Sequence, residues 1–316
     1  MQKLVSVVTA CYNEEDNVEP LYERIRAQFA ALPRYRYEHI YIDNASTDAT
    51  VERVKAICAR DSNVRLIVNT RNFGHIRSPV HALLQARGTA VIAMAADLQD
   101  PPELIPEFVA RWEAGYKVVA GVKPRSRDTM PFAILRRLYY ATIGGISEIR
   151  LIGNFTGFGL YDREVVEVVR QIDDPYPYFR GMIADIGHAC AEVPYEPAPR
   201  VRGLSKNGFY SLYDLAMLGI TSNSKVPLRI ATIAGFALSA ASLLVAIAYL
   251  IYKLLYWDQF TVGVAPLVIG VFFFASVQLF FIGILGEYIG AIHTRVHKRP
   301  LVVERERVNF GRDAER

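Results

Sequence analysis

The sequence predicts an α/β protein: a doubly wound, mostly parallel sheet over residues 1–209, followed by a C-terminal pair of membrane-spanning helices. Three observations carry this. Short β-branched runs alternate with helix-length segments, polar residues gather where each run ends, and two long stretches after residue 226 hold no charge. Strands alternating with helices at this spacing indicate a parallel sheet.

The first strand is Leu4 to Ala10 (LVSVVTA), an apolar run of the kind buried on both faces. A helical segment follows from Glu15 to Leu32. Then come a strand at His39 to Ile42, a helix at Thr50 to Arg60, a strand at Val64 to Val68, a helix at Pro79 to Ala86 and a strand at Ala90 to Ala95. Parallel sheets bind ligands beyond the carboxyl ends of their strands. Those ends are Cys11-Tyr12-Asn13-Glu14, Asp43-Asn44-Ala45-Ser46, Asn69-Thr70-Arg71-Asn72 and Ala96-Asp97-Leu98-Gln99-Asp100. No glycine-rich phosphate loop or dinucleotide fingerprint is present, which argues against P-loop enzymes and dinucleotide dehydrogenases.

From Ile230 to Tyr252, and again from Phe260 to Gly286, there is no charged residue. Each run exceeds the roughly 20 residues a helix needs to cross a bilayer. Lys206, Lys225 and Arg229 precede the first run and Arg295, Lys298 and Arg299 follow the second, while only Lys253 lies near the far side. The positive-inside rule then puts the N-terminal domain and the tail in the cytosol. The expected division is a soluble domain over 1–209, a juxtamembrane segment over 210–227, transmembrane helices over 228–257 and 260–292, and a basic cytosolic tail over 293–316. Tyr210 to Ile220 is apolar enough to lie along the membrane surface or to pack on the soluble domain.

The net charge of +4 is too small and dispersed for a nucleic-acid partner. Cys11, Cys58 and Cys190 show neither disulfide nor metal spacing, which fits a reducing compartment. No signal peptide is expected, because the run from Leu4 turns polar at Asn13.

The segments VVTACYNEEDNV, YIDNASTDAT, RNFGHIRSP and ADLQDPPELIPEF, with PRVRGLSK before the membrane runs, together resemble the family 2 glycosyltransferases of the GT-A fold. Within them the chain is similar to the polyprenyl-phosphate branch, which includes dolichol-phosphate mannose synthases and bactoprenol glucosyltransferases. The resemblance extends from residue 4 to about 290, and ADLQDPPEL is its most specific piece. It implies inverting transfer of a sugar from a nucleotide-sugar, UDP-sugar favoured, to a polyprenyl phosphate, by an oligomer (tetramer favoured) in a bacterial plasma membrane.

The resemblance also implies roles for residues. Asp43 would hold the base or ribose, Tyr12 and Glu14 would line the nucleotide pocket, and Arg71 and Asn72 fall in the third matching segment, beside it. Asp97 and Gln99 match the metal-proximal positions, and their hard oxygen donors suit Mg²⁺ or Mn²⁺. Arg200, Arg202, Ser205 and Lys206 match the segment that closes over the diphosphate and meets the acceptor phosphate; the bland alternative is flanking positive charge. Arg125 and Arg127 are weaker candidates. Asp100, followed by Pro101, Pro102 and Glu103, reads as a helix N-cap. His75, His81 and His188 lack ligand spacing and read as structural. Tyr176 to Phe179 fits either an acceptor pocket or a core hinge. The alternation from Leu301 to Phe310 fits a strand added to a neighbouring subunit.

Three positions depart from the family pattern. Ala95 stands at the first acid of the Asp-X-Asp metal motif, Asn44 at a second acid after the second strand, and Gly157 at an acid proposed as a base. A lipid phosphate is already ionised near neutral pH, with a second pKa of about 6, and needs no base to become a nucleophile. Two alternatives remain: a processive polysaccharide synthase, whose Gln-X-X-Arg-Trp signature the chain lacks, and a non-catalytic nucleotide-sugar-binding scaffold.

Overall fold

The computed structural model describes residues 2–123, 152–197, 217–219, 221, 224–256 and 264–311. Arg125, Arg127, Arg200, Arg202, Ser205 and Lys206 lie outside these residues, as does most of the juxtamembrane segment.

Eight strands form one mixed sheet: β1 (Lys3–Cys11), β2 (Tyr35–Asp43), β3 (Val64–Asn69), β4 (Ala90–Ala95), β5 (Val118–Val122), β6 (Phe155–Asp162), β7 (Cys190–Pro194) and β8 (Glu304–Val308). Their order is β7-β5-β6-β4-β1-β2-β3-β8. The block β3-β2-β1-β4 is parallel throughout, as the β-branched runs predict, with helices α1 (Val18–Ala30), α2 (Thr50–Arg60) and α3 (Gly74–Gln85) as its crossovers. Antiparallel β6 joins β4 to β5, which makes the sheet mixed. Helix α4 (Ile105–Glu113) precedes β5, and α5 (Arg163–Ile172) and α6 (Phe179–Ile186) follow β6.

Both faces of the central strands are covered. Val5, Val7, Tyr41 and Leu66 pack under α1 and α2 in one apolar cluster, and Val8, Ile40, Ile42 and Ile67 face Val80 and Leu83 of α3 in another. Removing each such side chain from water is worth about 1.5–3 kcal/mol, which is why the continuous runs, rather than alternating ones, become the interior strands. Successive crossovers build β1, β2 and β3 in one direction, and α3 then carries the chain to β4 on the other side of β1. The order therefore reverses between β1 and β4, the kind of switch point at whose carboxyl ends open α/β sheets bind ligands.

Two elements begin earlier than the sequence suggests. β2 starts at Tyr35, where Tyr37 stacks on Phe29 of α1 with ring centroids 4.8 Å apart. α3 starts at Gly74, so Pro79 lies inside it rather than opening it. Asn72 Oδ1 accepts from Gly74 N at 2.8 Å, and this local bond lets the helix begin ahead of the proline.

Helices α7 (Val226–Leu255) and α8 (Val264–Val296) are long and apolar enough to cross a membrane. Phe236 and Phe272 are 74% and 70% exposed, an arrangement water would penalise and lipid would not. Tyr288 of α8 donates to Ser224 O at 2.7 Å just before α7, joining the two helices at one end.

The tail pairs with its own sheet, which corrects the expectation of a strand lent to a neighbour. β8 runs antiparallel to β3, with Asn69 opposite Glu304 and Leu66 opposite Val308. Side chains lock it down: Lys55 meets Glu306 at 2.7 Å, His81 meets Glu304 at 2.6 Å, and Asn309 Nδ2 donates to Cys58 O and Val64 O at 2.8 Å each. β3 is the bare edge of the parallel block, and the first strand able to reach it belongs to the same chain.

Candidate active site

The four strand ends lie side by side. Cys11 pairs with Asp43, Asp43 with Val68, and Ala10 with Ala95, so the loops after β1, β2, β3 and β4 emerge along one edge. Each loop turns through a left-handed residue: Asn13 (φ 57°), Ala45 (φ 60°), Gly74 (φ 85°) and Leu98 (φ 60°). Three of these are not glycine, and such backbone persists only where surrounding bonds fix it.

Those bonds tie the first two loops together. Asn13 N donates to Ser46 Oγ at 2.9 Å, Thr47 N to Asn13 Oδ1 at 2.8 Å, Glu14 N to Thr50 Oγ1 at 2.9 Å, and Ala49 N to Glu15 Oε2 at 3.0 Å. Glu14 itself accepts from Asn17 Nδ2 at 2.6 Å, and Tyr12 is half-buried at the same edge.

Asp43 is fully buried, and its carboxylate accepts from the Ser46 hydroxyl and from Ser46 N, the latter at 2.9 Å. Burial pushes its pKa up, and the Ser46 bonds partly offset that shift. In this arrangement Asp43 braces its loop, and Ser46 is the nearer surface.

Asn44 is 5% exposed and is no simple loss of an acid. Its Oδ1 accepts from Asn69 Nδ2 at 3.0 Å, from Phe73 N at 3.3 Å and from the Ser78 hydroxyl, while its Nδ2 donates to Gly74 O at 3.4 Å. An amide can both accept and donate here; a carboxylate would face the Gly74 carbonyl with no hydrogen. Sequence reading missed this role because its partners come from three different segments.

Arg71 and Asn72 are exposed. Asn72 accepts from the first amide of α3, and Arg71 folds back over the Phe73 ring, 4.0 Å from its centroid.

After β4, Asp97 is partly exposed, and its Oδ1 accepts from Gln99 N at 3.2 Å. It follows the strand that borders the switch point, opposite the Tyr12 loop. Asp100 does not cap a helix as the sequence suggests: the short helix Pro102–Leu104 has Pro101 at its cap and no side-chain capping bond. Asp100 instead turns inward, 6% exposed, accepting from Ala95 N at 3.1 Å and from Tyr195 Oη at 2.7 Å. Burial raises its pKa. Glu103 pairs on the surface with Arg24 at 2.6 Å, an exposed contact worth little.

Gly157, at the third departure, adopts φ 104°, and its carbonyl accepts from Tyr161 Oη at 2.8 Å. A side chain there would be strained whatever its charge. Nearby Gly159 is fixed more tightly still, because an added Cβ would lie 2.3 Å from Val119 O. Of the aromatic stretch, Tyr178 is 8% exposed and Phe179 packs edge-on against Tyr161 at 5.1 Å, which favours the core role.

Among the described residues no group of three or more His, Cys, Asp or Glu side chains could hold a metal. Asp97 and Gln99 nevertheless supply carboxylate and amide oxygens in the loop at the switch point, and Asp43 and Asp100 are committed elsewhere. That donor set fits a hard divalent cation taking few protein ligands and completing its shell from phosphates and water.

The family model for glycosyl transferase family 2 matches residues 6–170. An uncharacterized glycosyltransferase of Synechocystis is 34% identical over 298 residues, covering 94% of this chain and 93% of the relative. An SfII prophage-derived bactoprenol glucosyl transferase of Shigella flexneri is 34% identical over 297 residues, covering 94% and 96% respectively. Among solved structures, a mannosyltransferase of Pyrobaculum calidifontis in complex with GDP-Man and Mn²⁺ superposes with a TM-score of 0.47 at 18% identity, covering 95% of this chain and 88% of that one. With its parallel block, its switch-point carboxylate and full-length relatives at this identity, the chain belongs to glycosyltransferase family 2.

Proposed function

We propose that this glycosyltransferase moves a sugar from a nucleotide-sugar, UDP-sugar favoured, to a polyprenyl phosphate at the cytosolic face of a membrane. One observation carries the choice of a lipid acceptor. α8 ends at Val296 and β8 begins at Glu304, paired with Asn69 at the carboxyl end of β3. The seven linking residues span at most about 25 Å when extended. The edge holding Tyr12 and Asp97 is thereby tethered close to the end of a helix suited to lipid. The name of the Shigella relative, a bactoprenol glucosyl transferase, supports the same acceptor class.

The nucleoside would lie between Tyr12 and Glu14 on one side and the Asp43–Ser46 loop on the other, contact with Asp43 passing through Ser46. Asp97 and Gln99 would hold a divalent cation, Mg²⁺ or Mn²⁺, which neutralises charge on a departing diphosphate. Arg200, Arg202, Ser205 and Lys206 would bind phosphate oxygens, for which the arginine fork is suited. In the reaction an oxygen of the lipid phosphate bonds to the anomeric carbon from the face opposite the leaving group. The bond from that carbon to the diphosphate oxygen breaks, and its electron pair leaves with the nucleotide, so configuration inverts. The lipid phosphate is already anionic, so no side chain need remove a proton.

The test is transfer from radiolabelled UDP-glucose, with GDP-mannose as the second donor, to undecaprenyl phosphate by the full chain with Mg²⁺ or Mn²⁺. Label in butanol-extractable lipid is expected. Nucleotide binding with no lipid product would favour a scaffold, and a lengthening polymer would favour a synthase.

A further inference from the structure

Arg71 and Arg77, from the β3–α3 loop and from α3, share one ring, and the chain just beyond α8 brings Arg299 near them. Arg71 and Arg77 both lie over the ring of Phe73, 4.0 and 5.1 Å from its centroid. Phe73 is 9% exposed, so the ring is a fixed platform that offsets part of the repulsion between two cations. A terminal nitrogen of Arg77 donates to Pro300 O, which brings Arg299 beside them. Arg77 Nε is buried and has no hydrogen-bond partner. Burial first, then Arg71 and Arg299, push the Arg77 pKa below its ordinary value.

Basic residues flanking a membrane helix are ordinarily solvated, and Arg299 alone would be read so. Arg71 and Arg77 are not flanking residues, and they are carried to this point by the fold. Arg295, one turn earlier, has its counter-charge in Asp174 at 3.5 Å. Among the described residues no carboxylate lies within ion-pairing distance of Arg71, Arg77 or Arg299. Two guanidinium groups on one ring, with Arg299 next in the chain to the Pro300 carbonyl that Arg77 reaches, no acid beside them and one inward donor unmet, leave positive potential that an anion would satisfy. The place, three residues past the end of α8, is where lipid phosphates would lie.

We propose that Arg71, Arg77 and Arg299, set around Phe73, bind a phosphate carried by a lipid, which seats the sheet's carboxyl edge on the bilayer. The site rests on α7 and α8 lying in a membrane as proposed above. It draws Arg71 away from the nucleotide and toward the lipid. The phosphate belongs either to a bulk anionic phospholipid or to the acceptor itself, and the probes separate the two.

Full-length protein in detergent micelles would be titrated with phosphatidylglycerol, farnesyl phosphate, phosphatidylcholine and UDP, with bound species counted by native mass spectrometry. Arg77→Gln and Arg299→Gln would each be compared with wild type. Arg299→Gln is the second arm because it removes no backbone bond of the tail. The expected result is about a tenfold loss of affinity for one or both anionic lipids, with phosphatidylcholine and UDP unchanged. Loss confined to farnesyl phosphate assigns the site to the acceptor, and loss confined to phosphatidylglycerol assigns it to bulk headgroups. Unchanged binding of both anionic lipids by both variants overturns the site, as does an equal fall for phosphatidylcholine or UDP. A wild-type chain that yields no lipid-linked sugar yet binds phosphatidylglycerol through these arginines would sink the proposed reaction and leave this site standing. Sugar transfer by wild type, with normal lipid binding in both variants, would sink this site alone.

Discussion

Tyr195, just past β7, donates its phenolic hydrogen to Asp100 Oδ1 at 2.7 Å, while the other oxygen of Asp100 accepts from Ala95 N. One buried carboxylate thus joins the end of β4, and the loop carrying Asp97, to the segment that leads toward Arg200. Tyr195 is itself held edge-on to Phe158 at 5.2 Å. Tyr195→Phe leaves one Asp100 oxygen buried and unpaired. The expected cost is about 1–3 kcal/mol of stability, read by denaturant unfolding, with a higher cation concentration needed for half-maximal transfer. A variant with unchanged cation dependence would mean that Asp100 does not position Asp97.

Asp97→Ala removes the proposed cation-holding carboxylate from a partly exposed loop. Transfer should fall by about 10²–10³-fold while the melting temperature stays within a degree or two. Steady-state rates with radiolabelled donor, alongside calorimetric UDP binding with and without Mn²⁺, check both halves.

If Asn44 were merely a lost acid, Asn44→Asp would improve the enzyme. The hydrogen bonds say otherwise, since the amide nitrogen donates to Gly74 O and the site is buried. A carboxylate there loses a donor and gains a desolvated charge, and the expected cost is about 1–3 kcal/mol with reduced transfer. Equal or higher activity in Asn44→Asp would refute this reading.

Gly157→Asp places a side chain at φ 104°. The left-handed backbone should cost about 1–2 kcal/mol, with Gly157→Ala as the control that separates backbone strain from charge. Equal losses in both variants would assign the effect to backbone.

The tail carries a pH signature. Hydrogen bonds from His81 and Arg307 outweigh burial and hold the Glu304 carboxyl at about 2, below its ordinary value of 4.5. The folded value is depressed, so this stabilisation is complete above the ordinary value and is lost as pH falls through about 2. Glu304→Gln should remove about 2 kcal/mol at neutral pH, allowing for partial screening, and flatten the acid limb between those values. Hydrogen exchange of the β3 and β8 amides would read it directly.

The sequence by itself determined the parallel block and the two apolar helices, because both are written in local pattern. Apolar runs such as Leu4–Ala10 lose their water only between two covering layers, and charge-free runs of membrane length need no partner to be recognised. It also determined which loops emerge along one edge, since strand ends in a parallel sheet lie side by side, and the bounds of α2 and β4 followed from the same logic. Tertiary structure alone decided that Asn44 is a hub, that Asp100 faces Tyr195 rather than a helix end, that β8 closes its own sheet, and that Arg77 reaches the Pro300 carbonyl beyond α8. Each of these joins residues far apart in the chain. Local periodicity fixes a residue's face and rise, but which distant group lies opposite depends on strand order and register, and those are settled only when the whole sheet closes.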